Sequence, residues 1–270
     1  MKRIFSIAIL SFAFILILAT PLIIGHRGYP ILYPENTLLS FRKAIESGAD
    51  GVELDVRSTK DGVLVIIHDE RIDELSSGEG KVRDLTFKEI RKYDFGMKEK
   101  IPTLEEVLEE LPSTCVINIE IKEKEDAREV ALLVKKTGRK NVIFSSFNPD
   151  SLEIVKKVIP DAEIGLILRK DYLAWKRLWN KSFLDAVKSC VKGLPVTHLM
   201  LPIGLLEIMD EEEILGITED IRKKGIKVFF WTVNDPEVFR LLYEYADGII
   251  TNDPESIRDL IEKCEILNHH

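Results

Sequence analysis

The sequence predicts a parallel (β/α)8 barrel, a TIM barrel of the α/β class, with one extra antiparallel hairpin strand. Three observations lead there. Short apolar runs of strand character recur near residues 23, 53, 118, 143, 166, 199, 229 and 249, with helical patterns between most of them. The chain has 270 residues, and such barrels take roughly 250. A ninth apolar run, Val63–Ile67, follows its predecessor too closely for a crossover, so it must run antiparallel. The competing doubly wound sheet would want a Gly-rich turn after the first strand, and no GxGxxG stands there.

The elements follow in order. Lys2-Arg3 precede an apolar run from Ile4 to Ala19, ended by Thr20-Pro21. A basic start, a long apolar stretch and a small residue at its end read as an export signal, cleaved or partly retained. The alternative is a membrane anchor through residues 4–19, but a spanning helix needs about 20 apolar residues and would consume Leu22–Ile24. Those residues are needed as the first strand. The expected domains are therefore 1–19 as leader and 20–270 as barrel, with the barrel outside the cytoplasm and a cytoplasmic location as the alternative.

The first strand delivers His26-Arg27-Gly28. Asn36 or Thr37 caps a helix over Leu38–Ser47, which Gly48 ends. Val52–Arg57 is a strand whose alternation puts Glu53 and Asp55 on one face. Asp61-Gly62 then reads as a two-residue turn, and that register sets Asp55 opposite His68. Residues 69–101 are polar and irregular, an inserted cap with a short helix at Leu85–Ile90. Helices are expected at Leu104–Leu111, Glu125–Lys136, Pro149–Val158, Leu173–Val191, Glu211–Lys224, Pro236–Tyr245 and Pro254–Cys264. Between them lie strands at Cys115–Lys122, Asn141–Ser146, Glu163–Leu168, Val196–Leu201, Lys227–Val233 and Gly248–Thr251.

Composition narrows the function. A formal charge of −8 and a pI near 5.4 offer no basic stripe for nucleic acid. Cys115, Cys190 and Cys264 are widely spaced, which indicates neither a disulfide framework nor a zinc site. A hydrophobic content of 45% suffices for a sizeable core. Oligomeric state is not legible.

In such barrels the active site lies at the carboxyl ends of the strands. There stand His26 and Arg27, Glu53 and Asp55, Glu120 and Lys122, then Phe147, Trp231 and Asn234. Buried parallel strands are normally apolar throughout, so three acids and two cations need a reason. Glu53, Asp55 and Glu120 supply hard oxygen ligands for one divalent cation, Mg²⁺, Ca²⁺ or Mn²⁺. Arg27 and Lys122 fit a phosphate beside it, although Arg27 could instead bridge Glu35. His26 and His68 offer an acid and a base near neutral pH. Phe147 and Trp231 read equally as binding wall or core. Glu35, Asn36 and Asn234 flank the site.

Together these residues resemble the glycerophosphodiester phosphodiesterase family, from Ile23 to roughly Glu255. The resemblance rests on an ordered series that begins His26-Arg27-Gly28, Pro34-Glu35-Asn36-Thr37, Gly51-Val52-Glu53-Leu54-Asp55-Val56 and His68-Asp69. It continues through Gly78 and Gly80, Ile101-Pro102-Thr103-Leu104 and Glu120-Ile121-Lys122. Trp231-Thr232-Val233-Asn234 and Asp247-Gly248-Ile249-Ile250-Thr251-Asn252 complete it. It implies a TIM barrel, a divalent metal on Glu53, Asp55 and Glu120, acid–base histidines at His26 and His68, and phosphate contacts at Arg27 and Lys122. The implied reaction is hydrolysis of a small glycerophosphodiester to sn-glycerol 3-phosphate and an alcohol. Asn252 departs from the pattern where an acid is frequent, at a position expected to be peripheral. The alternatives are a lysophospholipase-D-like enzyme, with an apolar cleft at Phe87, Tyr93 and Phe95, and a non-catalytic barrel that binds head groups.

Overall fold

A computed structural model describes residues 20–169 and 193–268. The described strands are β1 (Leu22–His26), β2 (Gly51–Ser58), β3 (Leu64–Ile66), β4 (Val116–Ile121), β5 (Val142–Ser146), β6 (Glu163–Ile167), β7 (His198–Pro202), β8 (Lys227–Trp231) and β9 (Gly248–Thr251). Their order in the sheet is β1-β9-β8-β7-β6-β5-β4-β2-β3, and β1 also pairs with β2. All neighbours but β2 and β3 run parallel, so eight strands close into the expected barrel. The predicted leader and the helix expected at Leu173–Val191 lie outside the described residues. No helix among the described residues is long and apolar enough to cross a membrane.

The helices are α1 (Leu38–Glu46), α2 (Phe87–Ile90), α3 (Leu104–Glu110), α4 (Ala127–Thr137), α5 (Pro149–Val158), α6 (Glu211–Arg222), α7 (Pro236–Leu242) and α8 (Pro254–Asn268). Their starts obey local chemistry. Thr37 Oγ1 accepts from the Ser40 amide, and Thr103 with Glu106 forms a reciprocal capping box on α3. Pro149 and Pro236 occupy first turns, where a missing N–H costs nothing.

Strand alternation divides the core in two. Outward residues such as Leu54, Ile117, Phe144 and Phe230 pack against helix residues such as Phe41 and Phe239. Inward residues Ile24, Ile143, Ile167, Met200, Phe229 and Ile250 fill the barrel itself. Glu53, Asp55 and Glu120 are inward residues too, and they are the exception to explain.

Two expectations need correction. The hairpin register is Val56↔Ile66, Arg57↔Val65 and Ser58↔Leu64, one residue away from the one that would oppose Asp55 and His68. Instead the Ile67 amide donates to the Asp55 carbonyl at 2.9 Å. The connection spans the five residues Thr59–Val63 rather than turning on Asp61-Gly62 alone. Thr59 organises it, since its N–H donates to the Val63 carbonyl and its hydroxyl reaches Asp61 Oδ1 at 2.7 Å. Gly62 supplies the left-handed residue at φ +79° that this longer loop demands. A one-residue slip exchanges the faces of a strand. The observed register sends Ile66 to the main core and leaves Val65 and Ile67 to the cap.

The cap provides the second correction. Val65, Ile67, Ile72, Val82, Ile90, Phe95 and Ile101 form its own small core, against which Phe87 and Tyr93 pack. Those rings hold the insertion together and do not line a lipid cleft. Arg91 ties the cap to α3 through both carboxylate oxygens of Glu106, at 2.7 and 2.8 Å.

His198, at the start of β7, is fully buried, with its ring edge-on to Phe229 at 5.2 Å. Its Nδ1 lies 2.8 Å from Thr197 Oγ1, and Nε2 has no partner among the described residues. Burial, with Lys227 adding to it, pushes its pKa from 6.5 down to about 3. Between those values the unfolded chain binds a proton that the native state refuses. Stability is therefore full above pH 6.5 and falls toward pH 3, by about 1.4 kcal/mol per pH unit from this group. Thermal unfolding from pH 7 to 4 is expected to include that contribution, and His198→Leu should lower the observed slope by it. An unchanged slope in the variant would refute the assignment.

Candidate active site

β2 and β4 pair in register, so Glu53 stands beside Asn118 and Asp55 beside Glu120. Their parallel pleats aim all four side chains inward near the carboxyl ends of the strands. One carboxylate oxygen from each of Glu53, Asp55 and Glu120 lies within 4.8 Å of the others. All three are buried, at 4%, 1% and 9% exposure. Three negative charges in that space require compensation.

Two cations provide part of it. Lys122 Nζ sits 2.6 Å from Glu120 Oε1 and 3.2 Å from Asp55 Oδ1. Arg27 places Nε 3.4 Å from Asp55 Oδ2 and Nη1 2.9 Å from Glu35 Oε1. The bridge to Glu35 is therefore real, and it coexists with a place in the cleft wall. Asn36 Nδ2 donates to Asp55 Oδ2 at 2.9 Å, and the Arg27 N–H donates to Glu53 Oε2 at 3.1 Å. Burial raises Glu53 well above the usual carboxylate range, and Asp55 and Glu120 push it further. Glu120 is raised by burial and Asp55 against the pull of Lys122. Asp55 goes the other way: burial opposes its ionisation, but Lys122 and Arg27 outweigh it. The cluster thus lacks positive charge on the Glu53 side.

That imbalance is the test for a metal. Three convergent hard oxygens, buried and short of a cation, fit a divalent ion of the magnesium, calcium or manganese kind.

The two histidines stand around the acids with different partners. His26 Nε2 lies 3.9 Å from Glu53 Oε2, while its Nδ1 lies 2.7 Å from Asn252 Oδ1. Burial and the neighbouring Arg27 push His26 down to about 4. Asn252 is thus not peripheral. The signal was its place directly after β9, next to β1. Asn234 Oδ1 holds it by accepting from the Asn252 N–H at 2.9 Å. His68 follows β3, and its Nδ1 lies 2.6 Å from Asp69 Oδ1. Arg57 Nε donates to the His68 carbonyl at 2.9 Å while Nη1 pairs with Glu123 at 2.6 Å. Arg57 carries the same alternation as Glu53 and Asp55, and that alternation was the available clue.

Of these groups, His26, Arg27, Glu53, His68, Glu120 and Lys122 line a cavity of about 340 Å³ with Asn118, Phe147, Ile167, Met200, Trp231 and Ile250. Trp231 and Phe147 meet edge to face at 5.8 Å, and Trp231 Nε1 donates to the Met200 carbonyl at 3.2 Å. Both rings are wall. Asn118 is buried, and its Oδ1 has no partner among the described residues. Every sequence-selected residue thus converges here: Glu35, Asn36 and Asn234 stand behind Arg27, Asp55 and Asn252.

The model of the glycerophosphoryl diester phosphodiesterase family matches residues 26–256. A glycerophosphodiester phosphodiesterase of Caldanaerobacter subterraneus subsp. tengcongensis is 37% identical over 257 residues, 90% of this chain and 98% of that one. One from Bacillus altitudinis is 38% identical, covering 86% and 95%. Among solved structures, a Thermotoga maritima glycerophosphodiester phosphodiesterase superposes with a TM-score of 0.75 at 38% identity, covering 89% and 98%. An Oleispira antarctica phosphodiesterase in complex with the product sn-glycerol-3-phosphate gives 0.74 at 25% identity, covering 90% and 97%.

Replacing the neutral partner of His26 should be measurable without any substrate. Asn252→Asp places a carboxylate against Nδ1 and favours the imidazolium, so the His26 pKa is expected to rise from about 4 by about 1–3 units. NMR titration of the ring reads this directly, and an unmoved titration would show that Asn252 does not engage His26 in solution.

Proposed function

The chain belongs to the glycerophosphoryl diester phosphodiesterase family, and from that premise we propose that it hydrolyses glycerophosphodiesters to sn-glycerol 3-phosphate and an alcohol with one divalent metal ion. The observation that carries this reading is the buried Glu53–Asp55–Glu120 cluster, flanked by Arg27 and Lys122 and bracketed by two histidines. A divalent ion held by the three carboxylates would supply Lewis-acid polarisation of a non-bridging phosphate oxygen.

The chain's own groups do the rest. Arg27 and Lys122 bind the phosphodiester anion and orient it. His26 acts as the base: its partner is a neutral amide oxygen, so Nδ1 carries the proton and Nε2 is free to accept one at neutral pH. His68 acts as the acid, its ring oriented by the Asp69 carboxylate 2.6 Å from Nδ1. The nucleophile is water or the glycerol 2-hydroxyl. His26 takes its proton as the new P–O bond forms, and His68 protonates the departing alkoxide as the old bond breaks. With the 2-hydroxyl the first product is a cyclic phosphate, which water then opens to sn-glycerol 3-phosphate. Export belongs to the same proposal and is supported by Lys2-Arg3 ahead of the apolar run to Ala19.

Purified protein with EDTA is expected to release no glycerol 3-phosphate from glycerophosphoglycerol, and Mg²⁺, Ca²⁺ or Mn²⁺ should restore release. Full activity in EDTA would remove the metal from the scheme. His26→Ala and His68→Ala are each expected to lower kcat by about 10²–10⁴-fold with little change in metal affinity. Activity within a few-fold of the parent in either variant would refute that histidine's role.

A further inference from the structure

The cleft does not end at the carboxylates. His68, Glu120, Lys122 and Phe147 line the inner cavity and also a second space that continues outward past Asn148 to Arg169. The two directions differ. Inward, the cavity meets Ile167, Met200 and Ile250 of the packed barrel interior. That side suits a short arm of fixed size such as glycerol. The groove toward Arg169 is the side that accommodates an alcohol of variable length.

The charge of that groove is unusual. Arg27, Lys122 and Arg57 each have a carboxylate partner within 3.4 Å. Arg169 has none among the described residues; its guanidinium instead lies over the Phe147 ring, with Cζ 5.1 Å from the centroid. It is exposed, so a ligand meets it without displacing the core. The first turn of α5, capped by Asn148, adds its positive end to the same wall. An aromatic face over a cleft would ordinarily suit a quaternary ammonium, but a guanidinium already occupies this one.

On the reading that the site cleaves glycerophosphodiesters, we propose that Arg169, stacked on Phe147, determines specificity by binding a carboxylate or phosphate on the alcohol arm of the substrate. The preferred substrates are then diesters with an anionic head, and cationic heads are the poorest.

Four diesters of sn-glycerol 3-phosphate test this, esterified to glycerol, choline, glycolate or glycerol phosphate. Wild-type kcat/KM is expected to be about tenfold higher for an anionic arm than for the neutral glycerol arm, and lowest for choline. The glycolate and phosphate arms show which anion is used. Arg169→Gln should collapse the anionic preference mainly through KM, Arg169→Lys should retain part of it, and added salt should erode it in the parent. Equal losses on all four diesters in Arg169→Gln, or choline turned over as well as glycolate by the parent, would overturn the proposal while leaving the phosphodiesterase reading intact. Metal-supplemented protein that turns over none of the four would overturn both.

Discussion

Three carboxylates inside a barrel are the constraint on which the rest of this structure depends. Glu53, Asp55 and Glu120 converge within 4.8 Å at burial that would ordinarily exclude even one unpaired charge. Lys122 and Arg27, the latter shared with Glu35, do not fully compensate them, and the deficit shows as the elevated Glu53. A divalent ion would offset that deficit and add positive charge where a phosphodiester monoanion can bind. Metal and substrate are thus complementary to one electrostatic defect. The same defect makes the polar end of the barrel expensive, and the packed apolar cluster beneath it works in the other direction.

Holding such a cluster requires backbone that most loops avoid. Arg27 and Asn36 both adopt left-handed φ, +55° and +58°, although neither is glycine. Each is held there from several sides. The Asn36 N–H donates to the Arg27 carbonyl at 3.0 Å, and the Asn36 amide reaches Asp55. Gly28 lets Ser40 approach so closely that a Cβ would fall 2.4 Å from its hydroxyl. That contact lets Ser40 Oγ donate to the Arg27 carbonyl and accept from the Tyr29 N–H. The loop after β1 is therefore a brace for Arg27, and its residues matter through what they hold.

Much of this was legible in the sequence because strand alternation is a strict code. Glu53/Asp55 and Glu120/Lys122 announced inward-facing charge, and the spacing of apolar runs announced the closed barrel. What escaped depended on loops and on non-local pairing. The hairpin register turned on whether the Thr59 hydroxyl would enlarge an Asp-Gly turn, a choice that local pattern does not disclose. Asn252 was undervalued because its partner is 226 positions away, and only ring closure between β9 and β1 brings them together. The cap aromatics illustrate a third cause. Phe87, Tyr93 and Phe95 have the composition of a ligand cleft, but a polar 33-residue insertion must first bury something of its own to stay folded.

The two histidines show how one chemical type is given two different settings. They differ little in sequence context, each sitting at the end of a strand beside a charged residue. Geometry separates them through the group behind the ring. Asn252 gives His26 an acceptor without charge, and burial and Arg27 disfavour a proton on that ring more than Asn252 and Asp55 favour it. Asp69 gives His68 an acceptor with charge, 2.6 Å from its Nδ1. The proposed acid and base roles draw on that difference, since breaking a phosphodiester requires one group to take a proton from the nucleophile and another to give one to the leaving group. The proposed direction of catalysis therefore rests on the second partner of each ring, one amide and one carboxylate, and exchanging those partners would work against it.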